Sequence, residues 1–266
     1  MDPLDVRFNK IIPEPVQITT AAASGRVQRG SSMYKKIGIL GGLSPESTSE
    51  YYLHIVREFT RQHGDHGYPE IIIYSLSFQN YIDWPKQGRW DLVGEGLSQA
   101  ARHLEAAGAE LIVLATNTMH IVQDAIRASV NVPFLSLLDV IGQAILDQGL
   151  HTAGLLGTKF TMEEGFYQQA LHEMGIEALI PNAEERELVN SVIYDELVAG
   201  IVNPASRESY LTIIDSLVQG GAQGIILGCT EISLLINPSH TPIPLFDTTA
   251  LHASAALSAA VEGSRA

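Results

Sequence analysis

From Lys36 onward, short apolar runs alternate with longer amphipathic stretches. Ile37–Leu40 is an apolar run ending in Gly41-Gly42, and Ser44-Pro45-Glu46 follows as a helix start. Ser44 suits the N-cap and Pro45 the first helical position, and the helix is predicted to run to about Gly64. Ile71–Leu76 is the next strand, rich in β-branched residues, and Trp90–Ala107 is an amphipathic helix closed by Gly108. Strand Leu111–Leu114, helix Met119–Ala128, strand Val132–Leu135 and helix Leu138–Asp147 continue the order. Strand Ala153–Leu156, a helix from Met162, strand Ile176–Ile180, two helices across Glu184–Gln219 and strand Gly224–Leu227 repeat it. A last helix is expected over about Thr249–Glu262. Short apolar strands alternating with helices predict parallel sheets covered on both faces.

The pattern also repeats in its residues. Gly108-Ala109-Glu110-Leu111-Ile112-Val113-Leu114-Ala115-Thr116 aligns without a gap on Gly221-Ala222-Gln223-Gly224-Ile225-Ile226-Leu227-Gly228-Cys229, 113 positions later. Gly38-Ile39-Leu40-Gly41 aligns on Gly154-Leu155-Leu156-Gly157, Tyr51-Tyr52 on Phe166-Tyr167, and Val132-Pro133 with Asp139 on Thr241-Pro242 with Asp247. The expected fold is therefore α/β: two pseudo-symmetric three-layer domains with mainly parallel sheets. The first lobe is expected to comprise 33–137 plus 247–266, and the second 138–246. Residues 1–32 lack periodic apolar patterning and contain Pro13, Pro15, an alanine run and a Gly/Ser stretch. They read as a flexible extension, with a bound N-terminal arm as the alternative, and Met33 reads as a natural start.

Composition narrows the function. The formal net charge of −14 opposes non-specific binding to nucleic acid and to anionic membranes. No apolar run is long enough to cross a bilayer, and the N-terminus lacks the apolar core of a secretory signal. The single cysteine excludes an intrachain disulfide and a thiolate metal cluster, and fits a reducing cytoplasm.

In an α/β sheet, ligands sit at the carboxyl ends of the strands. Four loops qualify: Gly42-Leu43-Ser44, Thr116-Asn117-Thr118, Thr158-Lys159-Phe160-Thr161 and Cys229-Thr230-Glu231. If the halves face each other, Thr116 and Cys229 occupy equivalent places on opposite walls of one cleft. A racemase needs that geometry, because one group removes a Cα proton and another returns one to the opposite face. Asn117, Thr118 and Thr230 can offer amide, hydroxyl and backbone donors to a carboxylate. Thr158 and Thr161 stand in the facing loop, Lys159 could offset a second negative charge, and Gln79 could reach the cleft from beyond the second strand.

Gly41-Gly42-Leu43-Ser44-Pro45-Glu46-Ser47-Thr48, Thr116-Asn117-Thr118-Met119-His120 and Gly228-Cys229-Thr230-Glu231 resemble the aspartate/glutamate racemase family, over about residues 35–262. The resemblance implies a small amino-acid dicarboxylate substrate, aspartate before glutamate, no pyridoxal phosphate and no metal, and a homodimer. It implies Thr116 and Cys229 as the catalytic pair, with the second-half cysteine serving the L enantiomer. Similar sequences carry Cys-Asn-Thr in the first half, so Thr116 departs from the pattern and makes the two bases unequal. His120 could lie on the Thr116 side of the helix and support it.

Structural readings stand beside these. A lone cysteine can be an inert buried hydrophobe. Thr116 can be a helix cap, Lys159 a solvated lysine, and Thr161 with Glu164 a capping box. Glu231 can orient the Cys229 region or favour a helix dipole. His63 and His66 suit a surface loop better than a metal, and Gly38–Gly42 lacks the dinucleotide spacing. Tyr51, Tyr52, Phe166 and Tyr167 read as core. Two other functions fit the same chain: a cofactor-independent decarboxylase using only the second-half cysteine, and a non-catalytic amino-acid-binding protein.

Overall fold

The computed structural model describes residues 33–262; the expected N-terminal extension, 1–32, and residues 263–266 lie outside the described residues. The strands are β1 (Ile37–Gly41), β2 (Ile71–Ser75), β3 (Leu111–Leu114), β4 (Phe134–Leu135), β5 (Thr152–Gly157), β6 (Glu177–Leu179), β7 (Gly224–Gly228) and β8 (Leu245–Asp247). The helices of the first part are α1 (Pro45–His63), α2 (Phe78–Lys86), α3 (Trp90–Ala106), α4 (Gln123–Ala128) and α5 (Leu137–Asp147). They are followed by α6 (Lys159–Glu163), α7 (Phe166–Glu173), α8 (Ala183–Asp195), α9 (Pro204–Gln219), α10 (Ile232–Leu235) and α11 (Thr248–Glu262).

The strands form two four-stranded sheets, ordered β2-β1-β3-β4 and β6-β5-β7-β8, with every neighbouring pair parallel. The same order twice is the structural counterpart of the sequence repeat. Ile39 pairs with Ile73 and Val113, and Leu156 with Leu227. β1, β3 and β7 are buried throughout, which explains why they read as continuous apolar runs.

Matched glycines set how the first helix of each half leaves its sheet. A Cβ at Gly41 would lie 2.5 Å from Cγ2 of Thr48, and one at Gly157 would lie 3.0 Å from Cγ2 of Thr161. Each glycine therefore lets the first helical turn rest against the strand end, and a larger residue would push the loop out of place.

The helices differ from expectation in four places. Residues 118–122 form a 3-10 turn ahead of α4. The helix after β5 is broken by Gly165 at φ 77, giving α6 and α7. α2 is an extra short helix containing Pro85, and α10 is a single turn after Cys229-Thr230-Glu231. The cap before α6 is Thr158, which accepts the Thr161 N–H, so Thr161 sits inside the helix instead of opening a capping box.

Ile37, Ile39, Leu111 and Val113 of the first sheet form one buried cluster with Tyr51, Ile55 and Phe59 of α1 and Ala253, Ala256, Leu257 and Ala260 of α11. Helix α11 thus completes the core that α1 begins. α5 instead buries Leu137, Leu138, Ile141 and Ile145 among residues of the second sheet. Among the described residues no helix is long and apolar enough to cross a membrane.

Candidate active site

The loops at the carboxyl ends of the two sheets bond to each other. Ser44, the N-cap of α1, accepts the Ser47 N–H, and its one hydroxyl proton is shared between Oε2 of Glu46 at 3.1 Å and Oε1 of Glu231 at 3.3 Å. Ser47 Oγ lies 2.7 Å from Oγ1 of Thr230. On the other side, the hydroxyls of Thr118, Thr158 and Thr161 form a triangle with edges of 3.0–3.1 Å. Loops after β1 and β7 therefore meet, and loops after β3 and β5 meet. Each loop comes from a different sheet than its partner.

Cys229 follows β7 directly and is half-buried. Its thiol donates to Oε2 of Glu231 at 2.9 Å, and the Thr230 hydroxyl donates to the same oxygen at 2.6 Å. Burial, then the negative charge of Glu231, then the bond to it, push the Cys229 thiol well above its ordinary range. The backbone N–H groups of Glu231 and Thr230 pull the other way without offsetting this, so the resting group is a thiol bonded to Glu231. Glu231 is itself only 6% exposed, and its bonded partners are these three neutral donors.

Thr116 follows β3 and is half-buried. Among the described residues its hydroxyl has no bonded partner. His120 sits beside it in a backbone role. The Leu137 N–H donates to His120 Nε2 at 3.1 Å, so Nε2 must accept and Nδ1 carries the proton, donating to the Thr116 carbonyl at 2.7 Å. Burial pulls the ring down to about 4, so it is neutral. Both nitrogens are engaged, and His120 holds the Thr116 backbone without touching the hydroxyl.

Asn117 is buried in a polar chain between the sheets. The Tyr167 hydroxyl donates to its Oδ1 at 3.3 Å, its Nδ2 donates to Thr248 Oγ1 at 3.0 Å, and Thr248 donates to the Leu227 carbonyl at 2.9 Å. A second buried chain lies alongside. His252 Nε2 donates to the Leu135 carbonyl at 3.0 Å, so its Nδ1 accepts from the Tyr51 hydroxyl at 2.8 Å. Burial, reinforced by nearby His120, holds His252 down at about 3.

Two expected ligands stand elsewhere. Lys159 is exposed, and its ammonium pairs with Glu187 at 2.8 Å because α8 brings that carboxylate beside it. Gln79 is exposed on α2 and donates to Asp83 one turn along the same helix. Ser44, Thr230 and Glu231 are brought together in one group with Ser47, and Thr118, Thr158 and Thr161 in another. Asn117 bonds to Tyr167 and Thr248; these two and Ser47 were not singled out from the sequence as site residues. Ser47 was signalled by its place three residues after a capping serine, and Thr248 by following the repeated Asp247. A cavity of about 790 Å³ between α3 and α4, lined by Trp90, Glu95, Arg102 and Val122, includes none of these residues.

A model of the Asp/Glu/Hydantoin racemase family matches residues 40–256. The chain is similar to the broad specificity amino-acid racemase RacX of Bacillus subtilis (strain 168), with 28% identity over 84% of this chain and 96% of that protein. It is also similar to the crystal structure of a candidate Asp/Glu racemase from Yersinia pestis, at 45% identity and a TM-score of 0.80, covering 84% of this chain and 98% of the other. An aspartate racemase homologue from Pyrococcus horikoshii OT3 gives 39% identity and a TM-score of 0.73 over the same shares. Two matched half-sheets, facing loops and these likenesses lead to one conclusion: the chain belongs to the Asp/Glu/Hydantoin racemase family.

Proposed function

We propose that the protein interconverts the L and D forms of an amino acid by two-base proton transfer at Cα, with Cys229 serving the L face and Thr116 the D face. The observation that carries this is the Cys229 thiol donating to Glu231 at 2.9 Å, at the strand end equivalent to the one that bears Thr116. Glu231 takes the thiol proton as substrate arrives. The thiolate then removes the Cα proton of the L substrate, and the electron pair delocalises into the α-carboxylate. The Thr116 hydroxyl delivers a proton to the opposite face; solvent then returns one to Thr116 and takes the one held by Glu231, which restores the starting state. Of the hydroxyls, those of Thr118 and Thr158 are the donors for the α-carboxylate, because Ser44 and Thr230 face the Glu231 carboxylate and Thr161 is fully buried. Both proton carriers belong to the chain, so this route uses no cofactor. The resemblance adds aspartate and glutamate as reference substrates, and a cytoplasmic homodimer as the working form.

The test is to incubate the protein with each enantiomer in D2O, following Cα–H loss by NMR and optical rotation together. Exchange from L substrate with slower inversion supports the scheme. Binding without any exchange sinks it.

A further inference from the structure

We propose that Thr248 is a positioning residue, whose one buried hydroxyl sets the placement of Thr116 relative to Cys229 so that both reach a single Cα. The inference rests on the racemase reading above and adds to it the group that holds the two bases in place.

The chain returns from the second half to the first between β8 and α11. β8 pairs with β7, whereas Ala253, Ala256 and Leu257 of α11 lie in the core of the first sheet. Thr248 opens α11 at that crossing and is fully buried. A hydroxyl has one proton to give. Thr248 gives it to the Leu227 carbonyl at 2.9 Å, a group that can only accept. Toward Asn117 the same oxygen must therefore accept. That turns Nδ2 of Asn117 to Thr248 at 3.0 Å and leaves Oδ1 for the Tyr167 hydroxyl at 3.3 Å. α11 is in turn pinned to the first sheet, because His252 Nε2 donates to the Leu135 carbonyl at 3.0 Å.

The order of these bonds along the chain gives them their meaning. Asn117 directly follows Thr116, and Leu227 stands two residues before Cys229 near the end of β7. A single oxygen, that of Thr248, thus joins the neighbour of one base to the strand that carries the other. Being fully buried, it acts through Asn117 and Leu227 and not on the substrate. Proton removal from the L face uses Cys229 and Glu231 alone, whereas inversion also needs Thr116 at the opposite face of the same Cα. A misplacement of about 1 Å between reacting groups costs up to about a hundredfold in rate. Loss of the Thr248 bonds should therefore depress inversion far more than exchange.

The experiment offers L-aspartate, L-glutamate and L-alanine in D2O and follows whichever the wild type exchanges fastest. Chiral separation with mass detection gives two rates, deuterium entering the recovered L form and appearance of the D form. Both come from one sample, so their ratio is independent of how much protein is folded. Thr248→Val, which removes the hydroxyl at nearly constant shape, should lower the inversion-to-exchange ratio by about tenfold or more. Tyr167→Phe, which frees the other end of the Asn117 amide, should lower it by about threefold. Thr248→Ser should stay within about twofold of wild type, because the hydroxyl is kept. Ser98→Ala, which deletes a buried hydroxyl bonded to the Ala125 carbonyl inside the first half, should leave the ratio unmoved. An unmoved ratio in Thr248→Val, or in Tyr167→Phe where the valine variant does not fold, would overturn the proposal. An equal fall in Thr248→Ser or Ser98→Ala would do the same, and both results leave the racemase reading intact. A wild type that exchanges none of the three amino acids would overturn that reading itself.

Discussion

Ser44 and Thr158 hold the same place in the two halves. Each caps the helix after the first strand of its sheet, each accepts the N–H three residues on, and each bonds to the loop after the third strand of the other sheet. The partners differ: a carboxylate, Glu231, for Ser44 and a hydroxyl, Thr118, for Thr158. The chain is thus symmetric in position and asymmetric in chemistry. The asymmetry puts the acidic partner beside the thiol.

Glu231→Gln should separate two properties of Cys229. Removing the charge lowers the thiol's affinity for its proton, so alkylation by iodoacetamide at pH 8 should speed up. Removing the proton acceptor should slow L-side exchange by about a hundredfold. Slower alkylation together with undiminished exchange would remove Glu231 from the mechanism.

The unequal bases predict unequal variants. Cys229→Ala should abolish exchange of the L substrate and net inversion, since the chain has no other thiol. Thr116→Ala should block inversion yet leave L-side exchange with solvent. Thr116→Cys should improve turnover of the D form. Full inversion by Cys229→Ala protein, measured by polarimetry, would end the assignment.

Exchange from the L side should be flat with pH across the neutral range, because the proton passes from the Cys229 thiol to Glu231 within the site and the pair's total proton count does not change. A rise of about tenfold per pH unit would mean that solvent, and not Glu231, deprotonates the thiol.

Acid should weaken the fold through His120 and His252. Both rings are buried, neutral and lowered, to about 4 and about 3. The unfolded chain binds these protons below its ordinary histidine value of about 6.5, and the folded chain does not. Their contribution is complete above that value and is lost as pH falls toward 4 and then 3, by up to about 3 kcal/mol for His120. Urea midpoints from pH 7 to 4.5 should fall in the wild type and fall less in a variant lacking either ring.

Asn117→Ala should cost about 1–3 kcal/mol by removing two buried hydrogen bonds, from Tyr167 and to Thr248. Tyr167→Phe should be less than additive with it in a double-mutant cycle scored by urea unfolding.

The sheets were legible because buried parallel strands leave unbroken apolar runs, and Gly41 and Gly157 marked where both halves turn. Ser44, Thr118, Thr161 and Glu231 were legible as loop residues in matched places. Their bonding was not, because it depends on how two sheets face each other, which periodicity along one chain does not encode. The destination of Lys159 was hidden for the same reason: Glu187 lies 28 positions away and on another helix. His120 was placed beside Thr116 by helical spacing, but a 3-10 turn there directs the ring to the backbone.

The packing of α11 against α1 has a consequence for biogenesis. The strands and helices of the second sheet are contiguous in the chain, and their core can close while the polypeptide is still being made. The first sheet waits for Ala253, Ala256, Leu257 and Ala260, which follow the whole second sheet in the chain. The lobe translated first is therefore finished second, and until α11 is in place its β1 and α1 surfaces are open to chaperones and to proteolysis.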